Sequence, residues 1–65
     1  MTWTYDPEAD AAYLKLGPGP IQESEEVRPS VVLDFDAAGK IVGIEVLSAR
    51  AMLSDVLLAG ALAAE

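Results

Sequence analysis

Two alternating apolar runs folded about one glycine constrain this chain more than any other feature. Val31, Leu33 and Phe35 alternate with Val32 and Asp34, and Val42, Ile44 and Val46 alternate with Gly43, Glu45 and Leu47. A period of two puts each set on one face of a strand. Between them, Asp36-Ala37-Ala38-Gly39-Lys40 has turn chemistry, with Gly39 suited to the left-handed position that closes a type I turn and bulge. Residues 31 to 47 therefore predict a β-hairpin. Gly43 lacks a side chain where a strand wants one, which marks a bulge or the close approach of a neighbour.

The preceding residues add strands. Trp3 and Tyr5 alternate with Thr2 and Thr4, a strand pattern. Asp6-Pro7-Glu8-Ala9-Asp10 follows as a turn in which Pro7 presets φ and Asp6 accepts a backbone hydrogen bond. Ala11 to Leu16 reads as the returning strand. Gly17-Pro18-Gly19-Pro20 ends it and carries the chain away. Ile21 to Arg28 alternates but is mostly polar, as expected of an exposed edge strand whose charges deter aggregation. After Ser48 the period changes. Met52, Leu53, Val56, Leu57 and Gly60 recur at helical spacing, with Ser48 or Ser54 as N-cap and Asp55 favourable in the first turn if the helix starts at Ser54. The expected fold is α+β: one domain over residues 1–65, a small antiparallel meander of four to five strands over residues 2–47, and one C-terminal helix over about residues 50–64. The helix is expected to pack on a floor made by Val31, Leu33 and Phe35 beside Val42, Ile44 and Val46.

Composition says what must stabilise such a body. A chain of 65 residues buries only about 60% of its unfolded surface, and a core of that size rarely supplies more than roughly 3–5 kcal/mol. There is no cysteine and no histidine. Disulfides and thiolate metal sites are therefore excluded, and the commonest metal ligand and general base are missing. With 52% of residues hydrophobic, self-association into a dimer or larger homo-oligomer is the expected staple. Leu58 and Leu62 widen the apolar stripe of the helix beyond one face, so Met52, Leu53, Val56, Leu57, Leu58 and Leu62 are the interface candidates. Eleven Asp and Glu against four Lys and Arg give a formal net charge of −7. That field repels nucleic acid and anionic lipid and favours cations or a basic protein partner, besides keeping a hydrophobic chain in solution. The N-terminal residues have neither a basic region nor an apolar run, and the longest apolar stretch falls short of the about 20 residues a bilayer requires. No membrane association and a cytoplasmic location are expected.

Few residues suggest chemistry. Asp34, Asp36, Gly39 and Glu45 match the spacing of positions one, three, six and twelve of an EF-hand calcium loop. Position five is Ala38, and the flanks read as strands where an EF-hand needs helices. Asp34 and Asp36, placed on one face of a strand, are thus weak candidates with Glu45 for a divalent-cation or small-ligand site. The plainer reading is a hairpin turn that uses Asp36 and Gly39 for backbone reasons. Glu23, Glu25 and Glu26 read as a solvated face or as a surface for a basic partner. Asp6, Glu8 and Asp10 read as turn chemistry. The serines have no histidine to activate them, and Gly17 to Pro20 lacks the amides of a phosphate loop. No cofactor and no enzymatic activity are expected.

Tyr5-Asp6-Pro7-Glu8-Ala9-Asp10-Ala11-Ala12-Tyr13-Leu14-Lys15-Leu16 resembles the opening of the prokaryotic family called domain of unknown function 2283. Glu25-Glu26-Val27, Val32-Leu33-Asp34-Phe35-Asp36 and Gly39 to Leu47 resemble the rest of it, over residues 3 to 49. The resemblance implies a compact antiparallel sheet followed by a helix. It also implies an antitoxin-like partner role, since such proteins are often encoded beside small toxin-like ones. It supplies no catalytic residues.

Overall fold

The computed structural model describes residues 2–60 and 62–63. Five antiparallel strands form as the sequence leads one to expect: β1 (Thr2–Asp6), β2 (Ala11–Lys15), β3 (Glu23–Arg28), β4 (Val31–Phe35) and β5 (Ile41–Leu47). A sixth, β6 (Leu62–Ala63), runs parallel to β1 with Thr4 opposite Leu62. The sheet order is β3-β4-β5-β2-β1-β6, so the strands do not form a simple meander. Two hairpin units instead join through β2 and β5, with Ala12 opposite Val46 and Leu14 opposite Ile44. Residues 16 to 22 carry the chain from β2 past the ends of β5 and β4 to the far edge. Backbone bonds fix this crossing: the Leu16 and Gly17 amides donate to Val42 O at 2.9 and 3.2 Å, and the Gln22 amide donates to Phe35 O at 2.7 Å. Inside β3 the register shifts between Glu26 and Arg28, so the plain alternation expected from Ile21 to Arg28 does not persist.

The single helix expected over residues 50–64 is two short ones, α1 (Ala49–Met52) and α2 (Asp55–Ala59). The break has a local cause. Leu53 is extended at φ −116°, ψ 149°, and Ser54 is an N-cap whose Oγ accepts from the Leu57 amide at 3.3 Å. A serine that caps a new helix cannot also continue an old one. Asp55 then occupies the first turn, where its charge suits the helix dipole. Of the expected helix, residues 61, 64 and 65 lie outside the described residues, and Leu62 and Ala63 are strand.

The register divides the side chains between two faces. Trp3, Tyr5, Ala12, Leu14, Ile44, Val46, Val31 and Leu33 share one of them. The helices cover only part of it. The core centres on Ala12, Val46 and Ala49, with Trp3, Tyr5, Ile44, Leu53 and Leu58 packed around them. The floor is therefore β1, β2 and β5. The sequence-based floor on β4 is corrected: Val31, Leu33 and Phe35 are half-buried and lie outside that core. The bend at Leu53 shortens the helical layer, so it does not reach β4.

The opposite face carries Tyr13, Glu45 and Val32 in one row, and Gly43, Asp34 and Ser24 in the next. Tyr13 lies across Gly43: a β-carbon on that glycine would stand 2.0 Å from the Tyr13 hydroxyl and 2.6 Å from Cζ. The close approach read from Gly43 is thus the tyrosine of the neighbouring strand, an aromatic filling the place of a missing side chain. Gly43→Ala is expected to destabilise the fold by about 1–3 kcal/mol, because the ring must leave a fitted position. Urea denaturation checks this, and adding Tyr13→Ala should make the second substitution much less costly than it is alone.

Candidate functional site

The weak cation candidates do not converge. Asp36 begins the β4–β5 turn, where its Oδ1 accepts from the Ala38 and Lys40 amides, both at 2.9 Å, while Gly39 adopts φ 79°. Its carboxylate is used in closing the turn, and it does not share a strand face with Asp34. Asp34 is buried, 4% exposed, and its Oδ1 accepts from Ser24 Oγ at 2.6 Å. Glu45 lies on the same face but in the next row, opposite Val32 and Tyr13. Among the described residues, no group of three or more carboxylates gathers closely enough to hold a metal ion.

Asp34 belongs instead to a polar chain across the sheet. Ser24 on β3 donates to it, and Tyr13 on β2 reaches toward it over Gly43 on β5. Burial pushes the Tyr13 hydroxyl above its ordinary value of 10.0, the Asp34 charge raises it further, and Glu45 adds a weaker push. The tyrosine therefore stays protonated beside the carboxylate. This chain reaches across four strands. Only Asp34 of it was visible in the sequence as a candidate, and for another role.

A second cluster was not visible as a site at all. Asp10 ends the β1–β2 turn at φ 52°. Its Oδ1 accepts from Tyr5 Oη at 2.8 Å and from the Arg50 amide at 3.0 Å, and its carbonyl accepts from the Ala49 amide at 2.9 Å. Those amides open α1. Ser48, the nominal cap, sits at φ 52°, ψ 47° and makes no side-chain cap bond. Asp10 therefore caps α1 from a position 40 residues away in the chain. Arg50 completes the cluster: Nη1 lies 3.9 Å from Asp10 Oδ1, Nη2 donates to Pro7 O at 3.1 Å, and its Cζ lies 5.9 Å from the centre of the Tyr5 ring. Asp6 performs the turn role read for it, with Oδ1 accepting from the Glu8 and Ala9 amides at 3.0 and 3.3 Å. The hydrogen bond from Tyr5, with help from Arg50, holds Asp10 below its ordinary value of 3.8. The cluster reads as a structural fastening. Each of its polar groups is directed at another part of the same fold.

The surface candidates divide. Leu53 and Leu58 pack on the protein's own sheet. Met52, Val56 and Leu57 are exposed, Val56 at 84% and Leu57 at 52%. The side chain of Leu62 lies outside the described residues. Glu23, Glu25 and Glu26 are exposed on β3, which is an outer strand of the sheet. Among the described residues, no helix is long and apolar enough to cross a membrane.

Residues 3–50 match the model of the family described as Protein of unknown function (DUF2283), and the chain belongs to that family. No curated protein matches the chain, and no solved structure does.

Asp10 gives the fold an acid sensitivity of known sign. Its folded value lies below 3.8, and an unfolded aspartate titrates near 3.9. Its charge therefore contributes to stability above that value, and the contribution is lost as pH falls through the folded one. Asp10→Asn keeps an acceptor oxygen and tolerates the left-handed backbone but has no charge to lose. It is expected to flatten the loss of stability between about pH 5 and pH 2. Asp10→Ala should free the helices from the sheet. The fluorescence of Trp3 reports this, because its indole Nε1 donates to Leu57 O at 3.2 Å.

Proposed function

We propose that this member of the DUF2283 family is a non-enzymatic protein-interaction domain that associates with itself. The observation that carries the reading is the incomplete core. Among the described residues, the buried hydrophobic ones are Ala12, Val42, Val46 and Ala49, and no large side chain is fully buried. Over half of the sequence is hydrophobic, yet Ile21, Val27, Ile41, Val56 and Leu57 stay at least 46% exposed. Apolar surface left in water is a driving force waiting for a partner. The absence of histidine and cysteine from the sequence supports a non-enzymatic role, as does the use of Asp6, Asp10, Asp34 and Asp36 within the fold.

A finer reading concerns a second partner. Glu23, Glu25 and Glu26 give the outer strand β3 an acidic edge whose backbone is unpaired on one side. Such an edge suits a basic extended segment, which would gain main-chain bonds and charge pairing together. An antitoxin-like domain that masks a basic toxin would use such an edge.

Sedimentation equilibrium at micromolar concentration tests the main reading. A dimer or larger species is expected, and a folded monomer throughout would overturn it. For the finer reading, the triple change Glu23→Lys, Glu25→Lys and Glu26→Lys is expected to abolish capture of a basic protein from the native host while leaving self-association in place. Unchanged capture would reject it.

A further inference from the structure

We infer that α2 and β6 form one detachable arm, which swings about the link between Leu53 and Ser54 and uncovers the edge of β1 while α1 and the other five strands stay folded. The two helices are held very differently. Ala49 of α1 is fully buried, its amide donates to Asp10 O at 2.9 Å, and the Arg50 amide donates to Asp10 Oδ1 at 3.0 Å. α2 buries none of its residues. Its backbone bonds close on the helix itself, from the Leu58 amide to Ser54 O and from the Gly60 amide to Val56 O and Leu57 O. Leu58 is half-buried against the core, and Trp3 Nε1 donates to Leu57 O on an exposed surface. Beyond α2, the two residues of β6, Leu62 and Ala63, lie against Thr4 and Tyr5.

The hinge lies between the helices. Leu53 and Ser54 are both extended, at φ −116°, ψ 149° and at φ −68°, ψ 154°. The Leu53 amide closes α1 on Ala49 O, and Ser54 O opens α2. Rotation between the two residues therefore breaks no hydrogen bond of either helix. A five-residue helix with no buried residue and a two-residue strand have little to set against the entropy gained on release. The family match divides the chain in the same place: it ends at residue 50, inside α1, and leaves the arm outside the matched body. The arm also has a task in the sheet. The β3 edge is guarded by Glu23, Glu25 and Glu26, whereas Thr2 to Tyr5 of β1 carry no charge. An uncharged edge is a template for pairing unless something covers it, and β6 is the cover. Release frees the main chain at Thr4 and Tyr5 and the indole of Trp3, while the hydrogen bond to Asp10 keeps the Tyr5 side chain on the body.

Native-state hydrogen exchange, followed by NMR on the full chain, tests the arm. The Leu58 and Gly60 amides, the Trp3 indole and the amides that pair β6 with β1 are expected to exchange through an opening at least about tenfold more populated than the one that exposes the Leu47, Ala49 and Arg50 amides. Urea below the unfolding transition should speed exchange at Leu47 steeply and at the arm hardly at all, because the arm's opening exposes little surface. Ser54→Ala removes the cap at the start of the arm and is expected to raise all the arm's rates together, by about fivefold. Ser24→Ala, on the opposite face, removes the donor to Asp34 and should speed exchange at Leu47 while leaving the arm's rates unchanged. Arm groups that share the protection and the urea slope of Leu47 would overturn the inference, since the arm would then open only with the whole fold. So would a response to Ser54→Ala confined to α2, with β6 and the Trp3 indole unmoved, because the helix would then fray alone. If Ser24→Ala does not fold, the urea series on the parent decides between local and global opening.

Discussion

One carboxylate holds the two layers together. The sheet can form from its hairpins, but α1 and α2 have four and five residues, too short to persist alone in water. Asp10 supplies what they lack. It satisfies the first amides of α1, takes a hydrogen bond from Tyr5 on β1, and pairs with Arg50, so hairpin turn, sheet and helix meet at one oxygen. Among the described residues, three other than glycine adopt positive φ, namely Asp10, Ser30 and Ser48. They sit at the same end of β2, β4 and β5, where the Leu47 amide reaches Ser30 O and the Ala49 amide reaches Asp10 O. Such backbone is costly without glycine. The hydrogen bonds gathered there hold it in place, and the helices start from it.

The opposite face solves a different problem with related means. No helix of the described residues covers it, so the sheet must be kept in register by its own side chains. Tyr13 over Gly43, with Asp34 and Ser24 beyond, reaches from β2 to β3. A buried aspartate is expensive unless it is hydrogen-bonded. Here that same expense makes the pairing specific. A slip of β4 against β5 would take Asp34 away from Gly43 and Tyr13, and a slip of β3 against β4 would take it away from Ser24.

Much of this was legible in the sequence. The alternation of Val31–Phe35 and Ile41–Leu47, the left-handed Gly39, the Asp6 turn and the Ser54 cap all rest on bonds within a few residues of each other, which local pattern reports. Most of what escaped depends on partners far apart in the chain. Nothing near Asp10 says that it will cap a helix starting at Ala49, and nothing near Ser48 says that its backbone will be left-handed and its side chain make no cap bond. The pairing of β2 with β5 is likewise a long-range choice between hairpins. The break at Leu53 was not read: Ser48 and Ser54 stood as alternative starts of one helix, and only Ser54 caps one with its side chain. The carboxylates Asp34, Asp36 and Glu45 matched a ligand spacing only in one dimension. Strand geometry sends Asp36 to its own turn and puts Asp34 and Glu45 in different rows.

The shortened helical layer also bears on how an acidic, hydrophobic chain can associate without aggregating. Two copies of net charge −7 repel at distances beyond contact, and salt near physiological strength confines that repulsion to about 8 Å. Association must then come from apolar surface brought into direct touch. The carboxylates of β3 guard the strand edge where pairing could propagate from copy to copy. The self-association proposed above would then draw on apolar surface away from that edge, such as Val56 and Leu57 of α2. An acidic edge of this kind discourages open growth from strand to strand.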